Sequence, residues 1–463
     1  MVRLIPALAI TLLGAIACAQ VPPEVDAHFK KVIQEQETAA CSVGIMNQGK
    51  LIFARGYGFA NLENRVKATP DTVYRLGSIT KQFTSTMIMQ LRQEGKLKLD
   101  DSITVYMDGI PPNWSAVTVR QLLNHTSGIP SYTNNLDVML RQSKLGTKPE
   151  GILKSVLTQP LEFAPGSKWS YNNTGYVMLG MIIEKLDGRP FAASLESRIT
   201  KPLGMNQTYF TSERTLVPNR AQGYVKTKTG FENCAFINMD WPYAAGSMES
   251  TVVDMAKWDA ALYGEKILPQ TVLAEMWTPT TLTTGAQQPY GFGWGVDKKK
   301  NIPFIHHGGG IPGFVTHFGR VPSKGWSVVV LANSENADPD GDVAAVFKVL
   351  IPELKEPKLA AMKDAHPELT KTAQEVLQSA LTNKLDRSKL TPKFSEELTP
   401  ELIEHTSRQL GGLGPLKAFF LIGEMKAGEG LKRTYRLTLG GHDLTVIVVT
   451  EANGLISGME IAP

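Results

Sequence analysis

The 463-residue chain reads as a mixed α/β protein of the α+β kind: an antiparallel sheet flanked by helices, an inserted helical lobe, and a small second α+β domain behind. Three observations predict this. Strand-like segments at both ends of residues 24–355 bracket a helical middle. The links between the later strands are short and polar, which suits antiparallel pairing. The composition then shifts over residues 355–366 to a charged run containing Pro357, after which helices are followed by four short strands.

The N-terminus stands apart from this plan. Met1-Val2-Arg3 is a short basic start, and Leu4 to Ile16 is an apolar run too short to span a bilayer. Ala17-Cys18-Ala19 then supplies small residues, so residues 1–19 read as a secretory signal cut after Ala19, with a periplasmic or secreted destination. The same stretch partly fits a lipobox, which offers Cys18 as a lipid-modified first residue and membrane anchor. No other run approaches the ~18 apolar residues of a membrane span.

From Pro23 to Thr38 the spacing of Val25, Phe29, Val32 and Ile33 predicts an amphipathic helix. Residues 41–46 and 51–54, joined by Asn47-Gln48-Gly49-Lys50, predict a strand, turn and strand. Phe83, Met87 and Leu91 recur every fourth residue, with Ile88 beside them, which predicts a helix over 79–94 stopped by Gly95. Residues 97–107 cross to a short helix at 119–123, and Asn124 to Pro130 has the composition of a sharp turn. Helices are predicted at 149–158 and 174–187, separated by a loop over 163–173 that Pro165 and Gly166 enforce. A further helix covers 252–263. Strands then follow at 291–296, 304–307, 314–319 and 327–332, and a helix at 342–350. We place a linker at 356–367 and an accessory domain at 368–463, with two or three helices and then strands at 418–424, 433–439, 444–450 and 455–461. The tail contains no chemical constellation, and no internal repeat occurs.

Composition excludes several function classes. At 42% hydrophobic and 20% charged residues, the chain has ordinary globular make-up. A net charge of +4, scattered along the chain, argues against nucleic acid as a partner. Neither a Cys-x-x-Cys nor a His-Glu-x-x-His pair occurs, so nothing suggests a metal or cofactor. Cys41 and Cys234, the cysteines left after cleavage, read as inert buried thiols.

The chemistry begins at Ser78-Ile79-Thr80-Lys81. Three residues apart on a helix, the hydroxyl and the amine share one face. A serine needs a base to take its proton, and a desolvated lysine supplies one because burial disfavours the ammonium form. None of the other serines has a lysine at the third position after it. A surface lysine at a helix start would give the same string, so further motifs have to decide. They are Tyr171-Asn172-Asn173 and His307-Gly308-Gly309.

With these three motifs in order, the chain closely resembles the serine hydrolases of the class C β-lactamase and DD-peptidase type, across about residues 28–352. The flanks agree: Gly56-Tyr57-Gly58, the Leu122 to Gly128 turn, Pro165-Gly166, Gly246 with Ser250-Thr251, and Gly313-Phe314. The resemblance implies a β-lactamase or penicillin-binding-protein-like fold and a small-molecule ester, peptide or β-lactam substrate. It implies Ser78 as the acylated nucleophile, and Lys81 with Tyr171 as the acid/base group, the lysine's charge lowering the phenol's pKa or the reverse. Asn173 would hold Lys81 and touch the substrate. His307 and Gly309 would edge the site, the missing side chain of Gly309 admitting an acyl group. The backbone N–H groups of Ser78 and Gly310 would stabilise an oxyanion.

Tyr132-Thr133-Asn134 is a rival Tyr-x-Asn, and the Pro-Gly approach to Tyr171 favours the latter. His306 and His307 should face opposite sides of a strand, so only one serves the site. His125 reads as a turn-stabilising residue. His307-Gly308-Gly309-Gly310 also matches the oxyanion loop of α/β-hydrolase lipases, but the Gly-x-Ser-x-Gly elbow those enzymes need is missing from the chain. Where class C β-lactamases place Lys-Thr-Gly, this chain has His307-Gly308-Gly309. Carboxylester or D-amino-acyl peptide hydrolysis therefore ranks above β-lactam hydrolysis, which would be weak. The reading from another class is a catalytically silent penicillin-binding or wall-sensing protein on the same scaffold.

Overall fold

The computed structural model describes residues 21–35, 38–134, 139, 141–210, 213–355, 361–411, 413–440 and 442–462. The predicted signal segment with Cys18 and residues 356–360 of the predicted linker lie outside them. The chain divides into two compact units, Met1–Lys355 and Glu356–Pro463.

A seven-stranded antiparallel sheet organises the first unit. Its members are β1 (Ala40–Asn47), β2 (Lys50–Asn61), β3 (Val66–Lys67), β4 (Gly295–Lys299), β5 (Ile302–Ile311), β6 (Phe314–Val321) and β7 (Trp326–Ala332), in the order β4-β5-β6-β7-β1-β2-β3. The two ends of the unit join where β1 pairs with β7, Val43 opposite Val330. Residues 40–46 of β1 are all buried, because helices cover both faces of this central strand. On one face, Val25 and Phe29 of α1 (Pro23–Gln34) pack with Val43, Val328 and Val330 beneath the last helix of the unit. The larger core on the other face surrounds α2 (Thr80–Gln93).

The helix carrying Ser78 and Lys81 differs from expectation in an informative way. A 3-10 turn over Gly77–Ile79 precedes α2, and Gly95 follows with φ +72°, the left-handed stop its composition suggests. Amphipathic spacing predicts one buried face, yet Lys81, Gln82, Thr84, Ser85 and Thr86 are buried as well. The helix is enclosed, and several of its polar residues find partners there: Thr84 Oγ1 donates to the Ala244 carbonyl at 2.7 Å, and Trp258 Nε1 donates to Gln82 Oε1 at 3.1 Å.

The lobe contains α3 (Val119–Leu123), a short helix at Pro149–Lys154 and α4 (Asn173–Asp187), while α5 (Val252–Ala261) packs on the central strands β1, β2 and β7. A Thr118–Gln121 capping box starts α3, and the Asn172 side chain caps α4 by accepting from the Gly175 N–H at 2.7 Å. One predicted strand moves. Residues 291–294 form a turn, and pairing begins only at Gly295, because Gly293 is left-handed and the chain at Gly291 lies against the Met276 carbonyl, 2.0 Å from where a Cβ would stand. Sequence patterning missed the three-stranded sheet of Tyr74–Arg75, Met248–Ser250 and Tyr209–Phe210, and the hairpin Tyr224–Thr227/Gly230–Asn233. Segments of two to four residues are too short to show alternation.

The second unit packs α6 (Pro367–Leu381), α7 (Pro392–Glu397) and α8 (Pro400–Gly411) against a four-stranded antiparallel sheet, β8 (Leu416–Ala427), β9 (Gly430–Leu439), β10 (His442–Thr450) and β11 (Ile456–Ala462), in chain order. Its core of Val376, Leu377, Tyr435, Leu437, Val446 and Ile456 is its own. Among the described residues, no helix is long and apolar enough to cross a membrane. Cys41 and Cys234 are both free, but only Cys41 is buried; Cys234 is half-buried, which corrects the expectation of two buried thiols.

Candidate active site

Local geometry puts Ser78 at the mouth of a cleft. Gly77 has φ +54°, a left-handed turn that a side chain would strain and that swings the next residue out of the core. Ser78 is therefore half-buried while its neighbours Gly77 and Ile79 are buried. Lys81, one turn on, is fully buried.

The Lys81 Nζ lies 3.0 Å from Ser78 Oγ, and it donates to Asn173 Oδ1 at 2.8 Å and to the Ala245 carbonyl at 2.9 Å. Tyr171 OH donates to Ser78 Oγ at 2.7 Å. Burial pushes the Lys81 pKa well below the usual lysine range. It pushes the Tyr171 phenol up, against the smaller opposing effect of the Ser78 hydrogen bond. Burial thus acts on both groups in the direction of their neutral forms. A neutral amine fits the three contacts: two N–H groups serve the oxygens of Asn173 and Ala245, which can only accept, and the lone pair faces the Ser78 hydroxyl.

The remaining predicted residues gather around this group. Asn173 opens α4, and its Nδ2 donates to Thr133 Oγ1 at 3.1 Å while its Oδ1 holds Lys81. His307 lies on β5, where Nε2 meets Tyr290 OH at 2.9 Å and Nδ1 meets the Gly308 carbonyl at 2.6 Å. With Nδ1–H donating to that carbonyl, Nε2 accepts from the tyrosine. Burial, reinforced by Lys81, lowers the His307 pKa to about 3. His306 turns away, its Nε2 2.7 Å from Asp297 Oδ2 and its ring stacked on Phe304 and His317.

The glycines of β5 have different uses. A Cβ on Gly309 would stand 2.0 Å from the Leu76 carbonyl and 2.5 Å from Thr316 Oγ1. The missing side chain there admits the Ser78 loop rather than an acyl group, a correction to the sequence reading. Gly310 is exposed with nothing within 4 Å of a Cβ, and its amide lies 2.9 Å from where a Cβ on Gly77 would stand. Strand β4 pairs with β5 only as far as His306, opposite Gly295, so residues 307–311 leave one strand edge to the cleft.

Further neighbours, some named in the sequence in other roles and some without any sequence signal, also stand at the site. The rival Tyr132-Thr133-Asn134 segment lines the same cavity, with Tyr132 OH donating to the Trp241 carbonyl at 2.9 Å and Thr133 bracing Asn173. His125, left-handed at φ +62°, accepts from the Asn172 N–H through Nδ1 at 3.1 Å. Its ring packs 4.5 Å from that of Tyr171, so the histidine braces the loop that aims the phenol. Ala245, Tyr290 and Glu335 also reach the site. An alanine carbonyl has no sequence signature, whereas Tyr290 stands in the Tyr-Gly-Phe-Gly-Trp run already noted as strand-like.

The model of the family described as Beta-lactamase matches residues 25–352. The chain belongs to the Beta-lactamase family. This is a family of serine hydrolases on the fold described above, with penicillin-binding-protein homologues and a D-stereospecific amidohydrolase among its relatives. The chain is 29% identical over 306 residues to "Penicillin-binding protein 4*" of Bacillus subtilis (strain 168), covering 62% of this chain and 66% of that protein. The chain therefore spans slightly less than two thirds of that curated relative. A D-stereospecific amidohydrolase from Streptomyces sp. is 28% identical, with a TM-score of 0.61 over 70% of this chain and 98% of that one. The octameric penicillin-binding protein homologue from Pyrococcus abyssi aligns over 95% of this chain and 99% of its own with a TM-score of 0.63; at 22% identity it shows the fold alone.

Proposed function

We propose that this Beta-lactamase family member is an exported serine hydrolase that works through an acyl-enzyme on an ester or amide, either a carboxylester or a D-amino-acyl peptide or amide, with weak β-lactam hydrolysis. The observation that carries the reading is Ser78 Oγ held between Lys81 Nζ at 3.0 Å and Tyr171 OH at 2.7 Å. Export rests on the N-terminal sequence alone.

In this reading Lys81 takes the Ser78 proton as Oγ attacks the substrate carbonyl. The backbone N–H groups of Ser78 and Gly310 receive the oxyanion, each worth roughly 2.7–4 kcal/mol in other hydrolases. Tyr171 gives its proton to the leaving group as the tetrahedral intermediate collapses, and Lys81 restores it. Water then enters by the same proton path and releases the acid. Asn173 keeps Lys81 aimed at the hydroxyl throughout.

The test is covalent labelling. A fluorescent fluorophosphonate should mark the native protein and fail on Ser78→Ala. Equal labelling of both proteins would refute the assignment. Rates on p-nitrophenyl acetate, a D-Ala-D-Ala peptide and nitrocefin should then fall in a series with nitrocefin slowest.

A further inference from the structure

A cavity of about 460 Å³ opens beside Ser78 on the Gly310 side, walled by Asn173, Ile237, Ile311, Phe314 and Glu335 among others. Among the described residues, the carboxylate of Glu335 is the one charged side chain in that lining. Its Oε1 accepts the Gly313 N–H at 2.9 Å. Among the described residues, Oε2 has no hydrogen-bond partner and the carboxylate forms no ion pair. The cation that could offset it is Arg75, whose guanidinium carbon stands 5.8 Å from the centre of the Phe314 ring. Arg75 is already matched by Glu213 and Glu249, each at 3.5 Å, and Arg220 shares Glu249 at 2.9 Å. Arg75 is thus engaged by other carboxylates, and Glu335 stands exposed at the cavity without an ion pair among the described residues.

We propose that Glu335 determines specificity, selecting substrates whose acyl portion carries an ammonium group, such as amides and esters of amino acids with a free α-amine. The same charge disfavours acyl portions bearing a carboxylate. In a primary amide the leaving group is only ammonia, so the acyl part is what fills a cavity of this size. An ammonium placed at the cavity mouth finds an exposed acceptor already oriented by the Gly313 N–H. The proposal rests on the reading of Ser78 as the nucleophile.

Three p-nitroanilides of D-phenylalanine separate the terms: one with its free α-ammonium, one N-acetylated and neutral, one N-succinylated and anionic. Assays at pH 7 keep the α-amine largely protonated, its usual pKa being about 7.7–8.0. With the full-length native protein, kcat/KM should rank ammonium first and succinyl last. In Glu335→Gln, which can still accept the Gly313 N–H, the ammonium-to-acetyl ratio should fall about fivefold, chiefly through KM. Glu335→Lys should move the succinyl substrate ahead of the ammonium one. A glutamate that merely holds the Gly313 turn would lower all three rates together and leave the ratios unchanged, which overturns the assignment. Fluorophosphonate labelling of Ser78 without turnover of any of the three substrates also overturns it, while sparing the hydrolase reading. Absence of labelling removes that reading and the assignment with it.

Discussion

At the scale of single residues, the central finding is that burial drives an amine and a phenol toward neutrality around one hydroxyl. Lys81 has lost its solvent, which shifts it toward the free amine, whose lone pair would be available to Ser78. The sign of the pH dependence follows. Below the depressed Lys81 pKa the amine becomes an ammonium with nothing to accept a proton, so kcat/KM should fall as pH decreases and level off above it. Lys81→Ala should reduce turnover by roughly 10²–10⁴-fold and abolish that acid limb. An acid limb unchanged in the variant would assign it to another group. The Ser78–Lys81 pair was legible because spacing within one helix turn is set by backbone geometry. Tyr171 became legible only through its resemblance to a known pattern, since 93 residues separate it from Ser78. The Ala245 carbonyl was not legible at all; any residue offers one.

Among the elements, β5 does the most to shape the cleft. Its glycines look interchangeable in a run of three, yet their surroundings differ. Gly309 sits with the Leu76 carbonyl 2.0 Å from its Cβ position, while Gly310 faces open space. Gly309→Ala should therefore destabilise the fold by about 1–3 kcal/mol by pushing the Ser78 loop away. Gly310→Ala should change stability by no more than about 0.5 kcal/mol. Chemical denaturation of the two variants checks this, and similar midpoints would show that the loop yields. The long helices and sheet strands could be read from periodicity, since their buried faces repeat often enough to register. The strand predicted at residues 291–296 could not, because a left-handed glycine and a close backbone contact from Met276 override the local β preference.

For the whole molecule, hydrophobic cores set the cooperative units. One unit holds cores on both sides of its seven-stranded sheet, and residues 356–463 enclose a third around Tyr435. Tyr435 is fully buried and hydrogen-bonded to Arg433 at 2.8 Å. Tyr435→Ala in the full-length chain should remove about 3–5 kcal/mol from the second unit. Calorimetry should show one of two transitions displaced downward while Ser78 labelling persists at temperatures between them. A single transition that moves as a whole would mean the units unfold together.

The long helices, the longer strands and the one-turn spacing of Ser78 and Lys81 were readable along the chain, because each depends on neighbours a few residues apart. Which Tyr-x-Asn approaches the hydroxyl, why Gly309 lacks a side chain, and what charge the cavity presents were settled only by packing. Those properties arise between segments separated by tens to hundreds of residues, and only the folded backbone determines which of them meet.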